Sequence, residues 1–163
     1  MKMNFLVLGL TALIPLVLGF IWYHPKVFGN AWMKSLGFTE DKMKEGFNMP
    51  LVFGLTYLFS FFLAFALQTM VIHQVAIYQL TMHFEKDPAT QELLGQIMSK
   101  YGTEFRNIHH GLIHGFIGGL TIAFPIVAVN ALFERRSWKY IFMNAGYWIV
   151  SMMLMGAVIC KFA

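Results

Sequence analysis

Four long apolar runs dominate the sequence, and charged or turn-forming residues separate them. The runs cover approximately residues 5–23, 51–72, 112–133 and 140–160, and each contains 19 to 22 residues. About 20 apolar residues in a helix cross a bilayer's hydrocarbon core, which is about 30 Å thick. We therefore predict an all-α integral membrane protein, a bundle of four transmembrane helices within a single membrane domain, residues 1–163.

The first connection carries a weaker helical pattern. Phe28, Trp32 and Leu36 recur at helical spacing, which predicts a short helix lying in the headgroup region. Gly37 is a suitable residue to end that helix. Thr39 is a candidate N-cap for a second short helix after it.

The second connection predicts an amphipathic helix over residues 87–102. Asp87 is a suitable N-cap, and Pro88 suits the first helical position. Apolar side chains then recur on one face until Gly102. We expect this helix to cap one end of the bundle, and Thr103 is a candidate cap for the helix that becomes the third span.

The third apolar run contains a row of small residues. Gly111, Gly115 and Gly119 are spaced four apart, so they share one face of a helix. Such a row lets a neighbouring backbone approach closely, which stabilises helix pairs in lipid. The alternative is a hinge or a pore lining. Pro125, later in the run, is predicted to bend the helix.

Composition agrees with a membrane protein. Charged residues make up 12% of the chain, about half the usual share of roughly 25% in soluble proteins. The single cysteine, Cys160, cannot form an intrachain disulfide. The net charge of +4 is assigned to turns flanking the membrane, so the predicted partners are the lipid bilayer and other membrane subunits or a second copy, and no nucleic acid.

Lysine and arginine are unevenly distributed between the two sides. The first and third connections hold seven of the twelve, and the other side holds five. Three of the seven lie in one short turn, at Arg135, Arg136 and Lys139. Short basic loops remain in the cytoplasm, so both termini are predicted to be non-cytoplasmic.

Three histidines form the first candidate site. His110 and His114 are four residues apart, a spacing that lets two imidazoles share a metal ion. Counting about 1.5 Å per residue from the centres of the second and third runs places His73 at the depth of His110. The three are candidate ligands for zinc, copper or haem, or candidate members of a proton-linked site. The alternative is interfacial histidines bonded to water and headgroups, with no cofactor.

Polar residues at the opposite side form the second candidate site. Asn130 and Asn144 lie seven residues to either side of Ser137, so in an antiparallel hairpin they are predicted to hydrogen-bond. Glu134 is predicted to form a salt bridge at the boundary, and a transport carboxylate is the alternative. His24 lies on the same side and is a candidate partner.

Two segments carry the most distinctive residues. The first reads WYHP at 22–25, FG at 28–29 and WMKSLGFTE at 32–40, and the second reads NALFERR at 130–136 and NAGYW at 144–148. They resemble the signatures of a bacterial membrane family catalogued as domain of unknown function 1761. The resemblance implies a four-span protein of the bacterial inner membrane with no established activity. It adds Tyr147 to the second site and favours that site over the histidines.

The favoured functional hypothesis is a non-enzymatic accessory subunit or a small homo-oligomer with a structural role in a membrane complex. The sequence contains no nucleophile–base pair and no phosphate-binding loop that would indicate an enzyme. An ion or small-solute transporter is the alternative, with Gln68, Asn130, Glu134 and Asn144 as the candidate polar path. A histidine-ligated metal- or haem-binding component is the second alternative.

Overall fold

The structure is a computed structural model that describes residues 3–39, 46 and 48–163. Those residues form helices and turns without a strand. Four of the helices are long and apolar enough to cross a membrane, namely α1, α3, α6 and α7, which confirms the predicted fold class. The helices are α1 (Phe5–Trp22), α2 (Asn30–Leu36), α3 (Met49–Val71), α4 (His73–Thr81), α5 (Pro88–Tyr101), α6 (Ile108–Phe133) and α7 (Trp138–Phe162).

The last helix, α7, occupies the centre of the bundle. Half of its most apolar stretch is buried, against 17 to 22% for the other three spanning helices. It contacts α1, α3 and α6, with the most extensive contact to α6. The largest buried cluster joins α7 to α1 and α3 and includes Leu8, Leu67, Val71, Met155, Ile159 and Cys160.

The glycine row of α6 lies against the backbone of α7. A Cβ atom added at Gly111, Gly115 or Gly119 would overlap a backbone atom of the facing helix. The residues they face on α7 are Gly156, Met152 and Ile149. The row is therefore the closest helix–helix contact of the bundle, because no side chain separates the two backbones.

Two prolines interrupt spanning helices in different ways. Pro15 has no N–H to donate, and α1 is broken just before it, at Ala12 and Leu13. In α6 the turn preceding Pro125 widens into a π-helix over Gly119–Ala123. A π-bulge is one of the few causes of a local change in helix direction. The hydrophobic pattern predicted a bend at Pro125 but not the break at Pro15.

Three of the four spanning helices, α3, α6 and α7, begin before the apolar runs that predicted them. The cap predicted at Thr103 is wrong, because Asn107 caps α6 and its side-chain oxygen accepts from the His110 N–H at 2.9 Å. Asn48 and Ser137 cap α3 and α7 in the same way. Polar N-caps stand outside the hydrocarbon, so apolar length alone places a helix start too late.

The first connection contains the predicted short helix. A π-helical turn over Pro25–Gly29 leads into α2, which ends at Gly37 in the left-handed conformation, with φ of 70°. Glycine adopts this conformation without a steric penalty. The second short helix predicted after Thr39 falls on residues outside those the structure describes.

The predicted cap helix is α5, and it is attached to α4. Asp87 is its N-cap and accepts from the Thr90 N–H at 3.0 Å. The side-chain nitrogen of Gln74, on α4, donates to the carbonyls of Tyr101 and Glu104 at 2.7 and 3.0 Å. Because Gln74 is almost fully buried, these two bonds hold the end of α5 and the following turn against the bundle.

The glycine contact predicts a specific sensitivity. Gly115→Ala places a methyl group on the Met152 carbonyl, so we expect a loss of about 1–3 kcal/mol in unfolding free energy from overpacking. Denaturant unfolding in detergent measures the change. Gly54→Ala on α3 is the control, since no atom lies within 4 Å of its added Cβ. Equal unfolding midpoints for both variants would contradict the role of the row.

Candidate functional site

His73, His110 and His114 meet at one end of the bundle, which we call the histidine end. One ligand atom from each lies within 4.8 Å of those from the other two. The Nε2 atoms of His73 and His110 are 3.0 Å apart, and the ring centroids of His110 and His114 are 4.3 Å apart. His73, which is distant in sequence, therefore forms one cluster with the neighbouring pair His110 and His114.

Local backbone features position each ring. Ile72 is fully buried and extended, so the chain leaves α3 and starts α4 directly at His73. On α6, Asn107 fixes the helix start three residues before His110. His110 and His114 then project from one face, one turn apart.

Phe105 lies against the cluster and was not singled out from the sequence. Its ring stacks on His110 at 5.0 Å and meets the edge of His73 at 6.1 Å. Its backbone is left-handed, with φ of 62°, which is rare for a bulky residue. The next residue, Arg106, donates to the carbonyls of Cys160 and Ala163 and so anchors this turn to the end of α7. No sequence pattern predicts a phenylalanine with a left-handed backbone conformation.

The arrangement suits a small metal ion. Two nitrogens bound at 2.0–2.1 Å to a tetrahedral ion lie about 3.3 Å apart, close to the 3.0 Å between His73 and His110. A ring nitrogen of His114 lies within 4.8 Å of those of the other two histidines, so His114 is the candidate third ligand. Three protein ligands leave one position for water or another donor. In the metal-free cluster the short Nε2 contact is a hydrogen bond between two imidazoles.

The other end of the bundle, which we call the aromatic end, is held by hydrogen bonds from α1 and its following turn to α7. The Tyr23 hydroxyl donates to the Asn144 side-chain oxygen at 2.9 Å. The Trp22 indole donates to the Met143 carbonyl at 3.1 Å, and the Tyr147 hydroxyl donates to the Pro15 carbonyl at 2.7 Å. Trp22 and Tyr23 therefore bind α7 and do more than anchor the chain in the interface.

Rings fill the space around these bonds. The Tyr23 ring contacts Tyr147 at 5.3 Å and Trp32 of α2 at 5.2 Å, and Trp22 contacts Phe28 at 4.8 Å. Such tilted aromatic pairs are worth about 0.5–1.5 kcal/mol beyond their burial. The cluster joins α1, α2 and α7 at this end.

The remaining predicted polar residues do not join this cluster. Among the described residues, Asn144 bonds to Tyr23 and Tyr140, so the predicted bond to Asn130 is wrong. Glu134 pairs with Arg136 at 3.2 Å on the exterior. His24 accepts from the Lys26 N–H and caps the turn after α1. Asn130 lies exposed on α6.

A family model described as Protein of unknown function (DUF1761) matches residues 6–160. The chain belongs to this family. Comparison with curated proteins and with solved structures gives no match. Membership assigns no activity, because the DUF1761 description itself names none.

The residues that carried the resemblance to DUF1761 occupy two different positions. Trp22, Tyr23, Trp32, Asn144 and Tyr147 assemble into the aromatic end, where their contacts are structural. Asn130 and Glu134 belong to the same signature but lie on the exterior. The histidine end is built from the middle of the chain, outside both signature segments.

The aromatic end predicts a stability that depends on alkaline pH. Burial, and secondarily the nearby Tyr147 and Tyr140, raises the pKa of Tyr23. Ionisation is therefore easier in the unfolded chain, and the stability that Tyr23 contributes is lost as pH rises above about 10, the ordinary tyrosine pKa. Tyr23→Phe should cost about 1 kcal/mol near pH 8 through its lost hydrogen bond, and that deficit should shrink at higher pH.

Unfolding midpoints from pH 8 to about pH 11 measure this effect. Tyr57→Phe, at an exposed position on α3, controls for the loss of one phenol. If the stability lost in Tyr23→Phe is the same over the whole pH range, ionisation of Tyr23 is not coupled to unfolding.

Proposed function

We propose that this protein is a non-enzymatic, metal-binding membrane protein that holds a Zn²⁺ or Cu²⁺ ion at the histidine end. The observation that carries the proposal is the convergence of His73, His110 and His114 within 4.8 Å. Neutral imidazole is a good ligand for both ions. Three such side chains from two helices rarely need to meet for packing alone, because each must also satisfy its ring nitrogens.

The ring spacing favours a single ion over haem. Two axial imidazoles on haem stand on opposite faces of the porphyrin, so their rings must leave room for its plane. The three rings here have centroids 4.3 to 5.0 Å apart. Haem therefore does not fit between them, whereas one small ion does.

Transport is less well supported. Its candidate path required Gln68, Asn130, Glu134 and Asn144 to line up. Gln68 lies near the end of α3 that leads to the histidines, and Asn144 lies at the start of α7, at the aromatic end. Glu134 pairs with Arg136 on the exterior. In the described part of the chain these side chains do not form one line through the bundle.

We also propose a location and an orientation. The family resemblance supports a bacterial inner membrane, and the excess of Lys and Arg in the first and third connections supports a cytoplasmic aromatic end. The histidine end, together with both termini, then faces outward. A metal ion would be acquired from that side.

Metal analysis tests the proposal directly. Purified without chelators and loaded with Zn²⁺ or Cu²⁺, the protein should hold about one ion per chain. Replacing His73, His110 or His114 by Ala should weaken affinity by at least the roughly 10–100-fold that loss of a supporting residue costs. His109→Ala is the matched control, since His109 is the neighbouring imidazole outside the cluster.

Competition against a chromophoric indicator gives the affinities, and mass spectrometry of the metal gives the stoichiometry. Affinity should fall in acid, because protons compete for imidazole nitrogen. A wild-type affinity no tighter than that of the triple alanine variant would refute metal binding. In oriented membrane vesicles, a membrane-impermeant chelator should remove the ion only when the histidine end faces the bath.

Association with another membrane helix is a second candidate function, and Asn130 favours it. Its side chain is exposed on α6, near the end of a span, and has no hydrogen-bond partner among the described residues. An asparagine facing lipid gains from a partner on a neighbouring helix, by about 0.6–2 kcal/mol. A second copy or a larger subunit would supply that partner.

Self-association measured in bilayers tests this second role. Asn130→Leu should weaken a dimer by about three- to thirtyfold, the equivalent of one such bond. Val129→Leu changes the adjacent exposed position without removing a polar group and should leave association unchanged. If both variants self-associate as strongly as the wild type does, Asn130 is excluded as the contact.

A further inference from the structure

A cavity lies beside the histidine end, between α3, α4 and α5. Its volume is about 680 Å³, within the range of sites for small molecules. Phe65 and Leu94 contribute apolar walls, and Gln68, Tyr78 and Glu85 contribute polar ones. None of the three clustered histidines lines it, so it is distinct from the candidate metal site.

Gln68 is the feature that marks this cavity as a binding site. Its side chain is 2% exposed and its amide nitrogen has no hydrogen-bond partner among the described residues. A buried donor without an acceptor destabilises the folded state. Since Gln68 lines the cavity, a ligand with an acceptor oxygen would relieve that cost.

The depth of the cavity indicates an amphiphilic ligand. Gln68 lies three residues before the end of α3, so it stands about 4.5 Å inside the boundary of the span. Phe65 lies almost one turn deeper, whereas Glu85 and Leu94 lie beyond the span. A lipid's ester or amide carbonyl occupies this boundary, with its chain toward Phe65 and its head toward Glu85.

The charge of the lining selects among such lipids. Glu85 is the one charged side chain among the residues found to line the cavity, and no Lys or Arg accompanies it. An anionic head would meet a like charge at Glu85, and none of the described residues that line the cavity is a cation that would offset it. A neutral or cationic head would meet the Glu85 carboxylate as a hydrogen-bond acceptor.

We infer that this cavity binds a lipid that has one acyl chain and a neutral or cationic head. The ester or amide carbonyl of this lipid accepts a hydrogen bond from Gln68. The cavity holds the chain at the same end of the bundle as the three histidines. The inference does not depend on metal binding, because the two sites use different side chains.

Binding of monoolein to the full-length protein, measured by native mass spectrometry from detergent, tests the inference. The wild type should bind monoolein more tightly than oleate, which has the same chain and an anionic head. Gln68→Met keeps the volume and removes the donor, so it should weaken monoolein binding by about three- to tenfold. Glu85→Gln should reduce the preference for monoolein over oleate.

Two controls separate a ligand contact from a structural one. Gln96→Met alters a glutamine of α5 outside the cavity and should leave binding unchanged. In lipid-free detergent, Gln68→Met should unfold at an equal or higher temperature, because an unpartnered buried donor is removed. Equal monoolein binding by wild type and Gln68→Met, or a marked fall in that variant's lipid-free unfolding temperature, would overturn the inference.

Discussion

The contact between the glycine row of α6 and the backbone of α7 is the constraint on which the rest of the bundle depends. In lipid, apolar burial does not drive helices together, so close packing must do so. A Cβ atom added at Gly111 would overlap the backbone of Gly156, and one added at Gly156 would overlap the backbone of Gly111. This mutual exclusion sets both the distance and the register of the pair. A slip of one turn, about 5.4 Å, would end the pairing of Gly111 with Gly156.

That register positions both ends of the molecule. At the histidine end, α7 packs against the last turns of α3 and the first turns of α6, so His73 meets the pair on α6. Arg106 and Phe105 tie the intervening turn to α7 and cover the rings. At the aromatic end, α7 receives hydrogen bonds from Trp22 and Tyr23. Both ends therefore pack against one central helix, but their roles differ. The aromatic end holds helices together, and the histidine end is a candidate site.

The positions that carried the resemblance to DUF1761 fall mostly at one end of the bundle. Trp22, Tyr23, Trp32, Asn144 and Tyr147 lie where α1, α2 and α7 pack together. The histidines and the cavity under α5 are built from the long second connection and the helix ends beside it. The contacts that hold the helices together and the candidate sites therefore use different parts of the chain, as expected where sites are placed on a fold.

The sequence by itself determined the four spans, the glycine row and the caps at Asp87 and Gly37, because hydrophobic length, small-residue spacing and local backbone preference act within a few residues. Counting residues from the centres of the second and third runs also placed His73 at the same depth as His110, since both helices rise by the same distance per residue. Only the tertiary structure decided that Asn144 bonds to Tyr23 and not to Asn130, and that Phe105 stacks on His110. The same holds for the unpartnered Gln68 donor. These depend on how each helix is rotated about its axis, which is set by packing between distant segments and leaves no local signal in the chain.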